Sequence, residues 1–351
     1  MKKILAIVLC LCMALAAVAC TTTPETPAEA EYKLGMGIVV KMDSTKTGNA
    51  QVDATVATVV TDAEGKIVLC RIDVAQNKMN VTDGAVEADK KFETKMELGD
   101  RYNMAAYGTP NVEGGTVKEW YVQTKAFEEY VIGKTAAEVK AIQLQEVNNH
   151  QIAVDEALLN AGCTMQITEF MAAVEKACND EQGMTFTTAS EFTLGVAANT
   201  TAEESVAATA DKNGTVAMYS DFAASVVADG KIIATLNDAI QPKITINAAG
   251  EIVEKAYTAT KRELKEGYNM AKFGASMDPN NDGKVLEWYV QSELFSNHVV
   301  GMTATEVANM GTAANSIGYQ MSTDADLVAA GCTIQITAIK AVVAKSANNA
   351  R

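Results

Sequence analysis

The sequence predicts an α+β fold: two homologous tandem domains, each a mainly antiparallel sheet packed with helices. Three observations predict it. First, the chain repeats itself. Glu119-Trp120-Tyr121-Val122-Gln123 returns as Glu287-Trp288-Tyr289-Val290-Gln291, Tyr102-Asn103-Met104-Ala105 as Tyr268-Asn269-Met270-Ala271, and Ala161-Gly162-Cys163-Thr164 as Ala330-Gly331-Cys332-Thr333. Offsets of 165 to 169 residues hold along each whole copy, so the repeating unit is a domain and not a short solenoid repeat. Second, each copy opens with β-branched, partly alternating runs separated by turn signals. Third, each copy closes with amphipathic stretches that carry helix caps.

The elements follow in chain order. Residues 1–19 read as an export signal: Lys2 and Lys3 give the charged start, residues 4–18 the apolar run, and Ala17-Val18-Ala19 the small-residue cleavage site. Cys20 directly after that site resembles the lipobox of bacterial lipoproteins, which implies a diacylglycerol anchor on its thiol and attachment to the cell membrane. Residues 20–33 then form the lipidated cysteine and a flexible tether, with Pro24, Pro27 and several Glu. The first copy spans 34–180, a linker 181–193, and the second copy 194–347.

In copy one, residues 52–60 and 66–74 read as strands around the turn Asp62-Ala63-Glu64-Gly65. Copy two uses Asp229-Gly230, a strong hairpin signal, before residues 231–236. Lys78-Met79-Asn80-Val81 and Lys243-Ile244-Thr245-Ile246 read as further short strands. A helix over 120–132 sets Trp120, Phe127, Tyr130 and Val131 near one face and ends at Gly133; its counterpart ends at Gly301. The next helix starts on a capping box, Thr135 with Glu138, repeated as Thr303 with Glu306. Thr164-Met165-Gln166-Ile167 reads as a short strand leading into a helix over 168–178. Each copy is long enough for its own core, so each is expected to fold alone.

The formal charge of −15 argues against nucleic acid and against adsorption on anionic lipid. Cys10 and Cys12 fall in the signal, which leaves Cys70, Cys163, Cys178 and Cys332 as expected buried free thiols. His150 and His298 are not repeat equivalents, no Cys/His spacing suits zinc, and a catalytic triad has nothing to build on. The chain is therefore read as a carrier or binding protein, not an enzyme, with no metal site. Asp278-Pro279-Asn280-Asn281-Asp282-Gly283 fits the first half of a calcium loop, but position twelve is Tyr289, so the segment is read as a polar turn.

Chemical promise concentrates before the last helix. A hydroxyl on a Gly-small-Thr turn near a helix start suits a phosphate. The hairpin turn Asp229-Gly230-Lys231-Ile232, the helix start Gly133-Lys134-Thr135 and the small-small-Thr segment resemble the FMN-binding domain of bacterial covalent flavoproteins. That family includes a subunit of the sodium-pumping quinone reductase and surface electron-transfer lipoproteins. The resemblance implies FMN joined by a phosphodiester to Thr164 and Thr333, in turns made by Gly162 and Gly331, with a flavin transferase and a redox partner. The family's leading Ser is Ala161 and Ala330 here. The acid expected six residues before the threonine is Leu158 and Leu327.

The set Tyr102/Tyr268, Asn103/Asn269, Trp120/Trp288 and Gln123/Gln291 recurs in both copies. A flat ring stacked on Trp120 or Trp288 and read by the amides is one reading; an aromatic helix face packed on the sheet is the other. Gln76-x-Lys78 and Gln241-x-Lys243 offer an anion contact or a solvent-side lysine. The whole is expected to be an extracytoplasmic, membrane-anchored flavin carrier. The alternative is a noncatalytic ligand-binding or structural lipoprotein that has lost flavin attachment.

Overall fold

The computed structural model describes residues 29–113, 115–273, 285–315 and 318–351. The export signal, Cys20, most of the tether and the 278–283 turn lie outside the described residues. The fold is α+β. In copy one, β1 (Ala30–Lys41), β2 (Asn49–Thr61) and β3 (Ile67–Asn80) form an antiparallel meander. Helices α1 (Lys95–Leu98), α2 (Met104–Tyr107), α3 (Trp120–Tyr130) and α4 (Ala136–Lys140) follow. A small hairpin, β4 (Leu144–Val147) and β5 (His150–Ala153), then leads to α5 (Glu156–Ala161) and α6 (Thr168–Cys178).

After β6 (Met184–Thr188), copy two repeats this succession. Its sheet is made by β7 (Thr193–Thr201), β9 (Tyr219–Ala228) and β10 (Lys231–Ile240), beside a smaller sheet of β8 (Gly214–Val216), β11 (Lys243–Ile246) and β12 (Ile252–Ala256). Then come α7 (Lys261–Leu264), α8 (Met270–Phe273), α9 (Trp288–His298), α10 (Ala304–Ala308), the hairpin β13 (Thr312–Ala314) and β14 (Gln320–Ser322), α11 (Ala325–Ala330) and α12 (Thr337–Asn348). Among the described residues no helix is long and apolar enough to cross a membrane.

Both expected capping boxes form, at Thr135/Glu138 and Thr303/Glu306. Two more cap α1 and α7, Thr94/Glu97 and Thr260/Glu263, on the same T-x-x-E spacing. Gly133 and Gly301 end α3 and α9 with positive φ, and each donates its N–H to a strand carbonyl, Ile67 or Ile232, at 2.7 Å. The stop of each helix thereby fixes its docking on the sheet.

The strands bury both faces because side chains alternate across a sheet. Leu34, Met36 and Ile38 of β1 and Val52, Ala54 and Val56 of β2 point inward. There they meet Leu194, Val196, Phe222, Ala224 and Val226 of copy two in a single cluster. The outer faces are covered by helices: Ala57 and Ile72 pack with Trp120, Phe127 and Phe170, while Ala223 and Ile232 pack with Trp288, Phe295 and Val343. The layers therefore run helices, sheet, sheet, helices. The apolar strands do have cores of their own, but their second faces are buried only against the other copy.

The 181–193 stretch is not a plain linker. Its alternation puts Phe186 inward, and β6 adds to the edge of β1 with Leu34 opposite Met184. Tyr32, Phe186 and Phe192 lock this seam, with ring centroids 5.0–5.6 Å apart. The contacts across the copies are also duplicated. Lys345 of α12 pairs with Glu97 and, at the equivalent positions, Lys176 of α6 pairs with Glu263. Within its own copy each of these lysines also donates to a strand carbonyl, Lys176 Nζ to Ile38 O and Lys345 Nζ to Ala198 O, each at 2.7 Å. Such reciprocity is the signature of a two-fold related interface.

Gly35 and Gly195 stand at equivalent places where the last helix of each copy crosses the sheet. A Cβ there would lie 2.0 Å from Ala177 O or 1.9 Å from Ser346 O, so only glycine lets the backbones approach.

Candidate functional site in the second copy

The Gly-Cys-Thr turn is built identically in both copies. Helices α5 and α11 end on Gly162 and Gly331 in the left-handed region, at φ 101° and 107°, where glycine is free of the Cβ penalty. The next residues, Cys163 and Cys332, turn into the core, and burial pushes both thiols up to about 12. The four described cysteines, Cys70, Cys163, Cys178 and Cys332, are free thiols. Only Cys178 is partly exposed.

Thr164 and Thr333 then emerge half-exposed. The Thr164 amide donates to Gln123 Oε1 at 2.9 Å, and the Thr333 amide to Gln291 Oε1 at 2.7 Å. The same glutamines donate Nε2 to Lys118 O at 2.8 Å and to Leu286 O at 2.7 Å. Both glutamines are buried, at 1% and 0% exposure, so their polar ends are committed to the fold. They hold the threonine in place instead of reading a ligand. Each threonine hydroxyl sits 3.4 Å from its glutamine Oε1, a long contact.

The segment 164–167 is not a strand. Its amides go elsewhere, Thr164 to Gln123 and Ile167 to Gln151 O, and copy two makes only an isolated bridge between Met321 and Gln335. Trp120 and Trp288 are core residues, 2% and 4% exposed. Trp120 meets Phe170 edge-on at 5.9 Å. Neither indole offers a free face for stacking, although Trp288 does reach the wall of the cavity described below. Asn103 and Asn269 adopt left-handed conformations, and their side chains bond Arg101 O and Gly267 O, so they too are turn formers. Lys78 and Lys243 are exposed on their strands.

Sequence reasoning missed two residues per copy. Lys95 Nζ lies 4.9 Å from the Tyr102 ring centre and 5.6 Å from that of Trp120; Lys261 lies 5.2 Å from Tyr268 and 5.1 Å from Trp288. Each lysine is the first helical residue after its capping threonine. The signal was the repeated Thr-Lys-x-Glu at 94–97 and 260–263. Beneath each lysine turn a buried acid braces the helix start: Asp73 Oδ1 accepts the Met96 amide at 3.1 Å and Asp238 Oδ1 the Arg262 amide at 3.0 Å.

Burial raises Asp73 and pushes Asp238 up to about 6 from an unfolded value near 3.8. A raised carboxyl favours the folded state when protonated. The Asp238 contribution is therefore fully present below about 4 and declines as pH rises toward about 6. Melting temperatures of Asp238→Asn should fall less than those of the unmodified protein across that window. An identical slope would show that the acid is not the titrating group.

In copy two these parts surround a cavity of about 560 Å³. Thr333, Gln291, Trp288, Tyr268, Lys261 and Asp221 all lie on its wall. The size falls in the range of roughly 300–1,000 Å³ typical of small-molecule sites. Burial raises Asp221 above the usual carboxylate range, and Lys261 opposes that shift. In copy one the threonine is covered differently: Asn111 Nδ2 donates to Thr164 O at 2.9 Å and is itself held by Asn148 at 3.1 Å.

No protein-family model matches the chain. No solved structure matches it. One curated protein has a similar segment. It is a chlorophenol reductase of Desulfitobacterium hafniense, 40% identical over 100 residues. The shared segment amounts to 24% of this chain and 28% of that protein.

Proposed function

We propose that this chain is a membrane-anchored extracytoplasmic lipoprotein that carries FMN as an electron relay, joined by a phosphodiester through a threonine of the Gly-Cys-Thr turn. The observation that carries the proposal is the meeting, on one cavity wall, of the Thr333 hydroxyl with an aromatic-bounded lysine. The residues fit such a group. Lys261 opposes negative charge, Tyr268 and Met270 give apolar surface, and Gln291 fixes the backbone from which the hydroxyl projects. Flavin, when bound, accepts and returns electrons, so no protein nucleophile or metal is required for the redox chemistry.

Attachment asks one thing of the chain, a hydroxyl nucleophile. Thr333 Oγ1 forms the new bond to the FMN-side phosphorus of a flavin adenine dinucleotide donor. The pyrophosphate bond breaks, AMP leaves, and the hydroxyl proton passes to a base of the transferase.

A second reading has its own support. The positions where the family has an acid are Leu158 and Leu327, both fully buried in the helical cores, so the acid cannot be restored there without disrupting packing. That departure favours a noncatalytic ligand-binding or structural lipoprotein. Fractionation combined with reduction separates the two readings. The protein should sediment with membranes through Cys20, lose its flavin colour with dithionite and regain it when a soluble acceptor is added. A colourless protein in the membrane fraction would leave the binding or structural reading.

A further inference from the structure

One difference between the two copies bears directly on access to the cavity. Gly35 opposite Val59 and Gly195 opposite Ser225 fix the equivalence of the strands, so Lys41, opposite Asp53, has its counterpart in Thr201, opposite Tyr219. Thr168-Glu169-Phe170 at the start of α6 corresponds to Thr337-Ala338-Ile339 at the start of α12. In copy one Lys41 Nζ pairs with Glu169, whose carboxylate also accepts from Gln166 Nε2 at 3.0 Å and Thr168 Oγ1 at 2.9 Å. Burial works against this charge, but Lys41, Gln166 and Thr168 hold the Glu169 carboxyl down at about 2. The pair therefore stays ionised across the physiological range.

In copy two the same ground is open. Ala338 has no group to project, Thr201 is short and uncharged, and Thr201, Ala338 and Gln335 all line the cavity. An alanine in place of a glutamate and a threonine in place of a lysine account for the difference by side-chain volume and charge alone.

We infer that the chain takes one flavin, in copy two at Thr333, and that the Lys41–Glu169 pair closes the equivalent cleft in copy one. This rests on the flavin reading above, and it narrows that reading from two acceptor threonines to one. The duplication then divides labour: copy one completes the shared core while copy two holds the ligand.

The test is intact-mass analysis with peptide mapping on full-length protein co-expressed with a flavin transferase. Unmodified protein should gain one FMN, on the peptide carrying Thr333. Lys41→Thr combined with Glu169→Ala gives copy one the residues of copy two and should add a second FMN at Thr164. Glu169→Ala alone should add a partial one. The reciprocal Ala338→Glu should cut labelling of Thr333 by tenfold or more. FMN on Thr164 of unmodified protein, or a double variant that still carries one FMN, would overturn the assignment to copy two. No flavin on either threonine in any of these proteins would instead overturn the flavin reading itself.

Discussion

Thr333→Ala should abolish covalent flavin, with no residual labelling at copy two, while Thr333→Ser should retain it. A phosphodiester requires a hydroxyl oxygen, and the neighbouring side chain, Cys332, is buried with its thiol pushed up to about 12, so it cannot take over. The turn itself should survive the substitution, because the contact that fixes it is the Thr333 backbone amide to Gln291 Oε1. Gln291→Leu should act differently. It leaves the hydroxyl but removes the acceptor of that amide and the donor to Leu286 O, and an unsatisfied buried group of this kind costs about 1–3 kcal/mol. Labelling should then fall together with the melting temperature, whereas in Thr333→Ala only labelling falls. A Thr333→Ala protein that still carries covalent flavin would place the attachment elsewhere.

The second large effect concerns the shared core. Separate pieces covering 34–180 and 190–351 should fail to give well-behaved cooperative monomers. Each would expose the inner sheet face, with Leu194, Val196, Phe222 and Val226 bare in the second piece. Apolar patches of that extent drive association. Because the cross-copy contacts are reciprocal, self-pairing of the second piece is the expected escape.

In the intact chain Phe222→Ala should cost about 3–5 kcal/mol, since the ring is fully buried between the sheets. That corresponds to a fall in melting temperature on the order of 10 °C. The whole transition should move. Calorimetry that shows only one of two transitions shifting would mean the copies melt independently.

Much of the fold is legible in the sequence because its signals are local. The capping boxes at Thr135 and Thr303, the glycines that end α3 and α9, and the Asp229-Gly230 turn each depend on a few neighbouring residues. The shared core is not local. An apolar alternation on β1 or β9 reads the same whether its second face meets water, a helix or another sheet, and only the tertiary arrangement decides. The same reason hides β6: a stretch of threonines around Phe186 looks like a linker until the edge of β1 is there to receive it.

The candidate site is half legible for a related reason. Repetition singles out Thr164, Thr333, Gln123 and Gln291, but it cannot tell a residue that meets a ligand from one that fixes the fold. The glutamines and tryptophans recur because the turn and the core need them. Lys261 recurs too, yet a lysine in a first helical turn attracts no notice until Tyr268 and Trp288 are seen on either side. The difference between Glu169 and Ala338 gains meaning only when Lys41 is found opposite.

The most direct measurement is the flavin-to-protein ratio of full-length protein, produced and exported with a flavin transferase, then denatured and stripped of free ligand before its visible spectrum is recorded. A flavin band that survives denaturation at close to one per chain is the expected result. A spectrum with no flavin band, from protein that was exported and folded, would contradict the account.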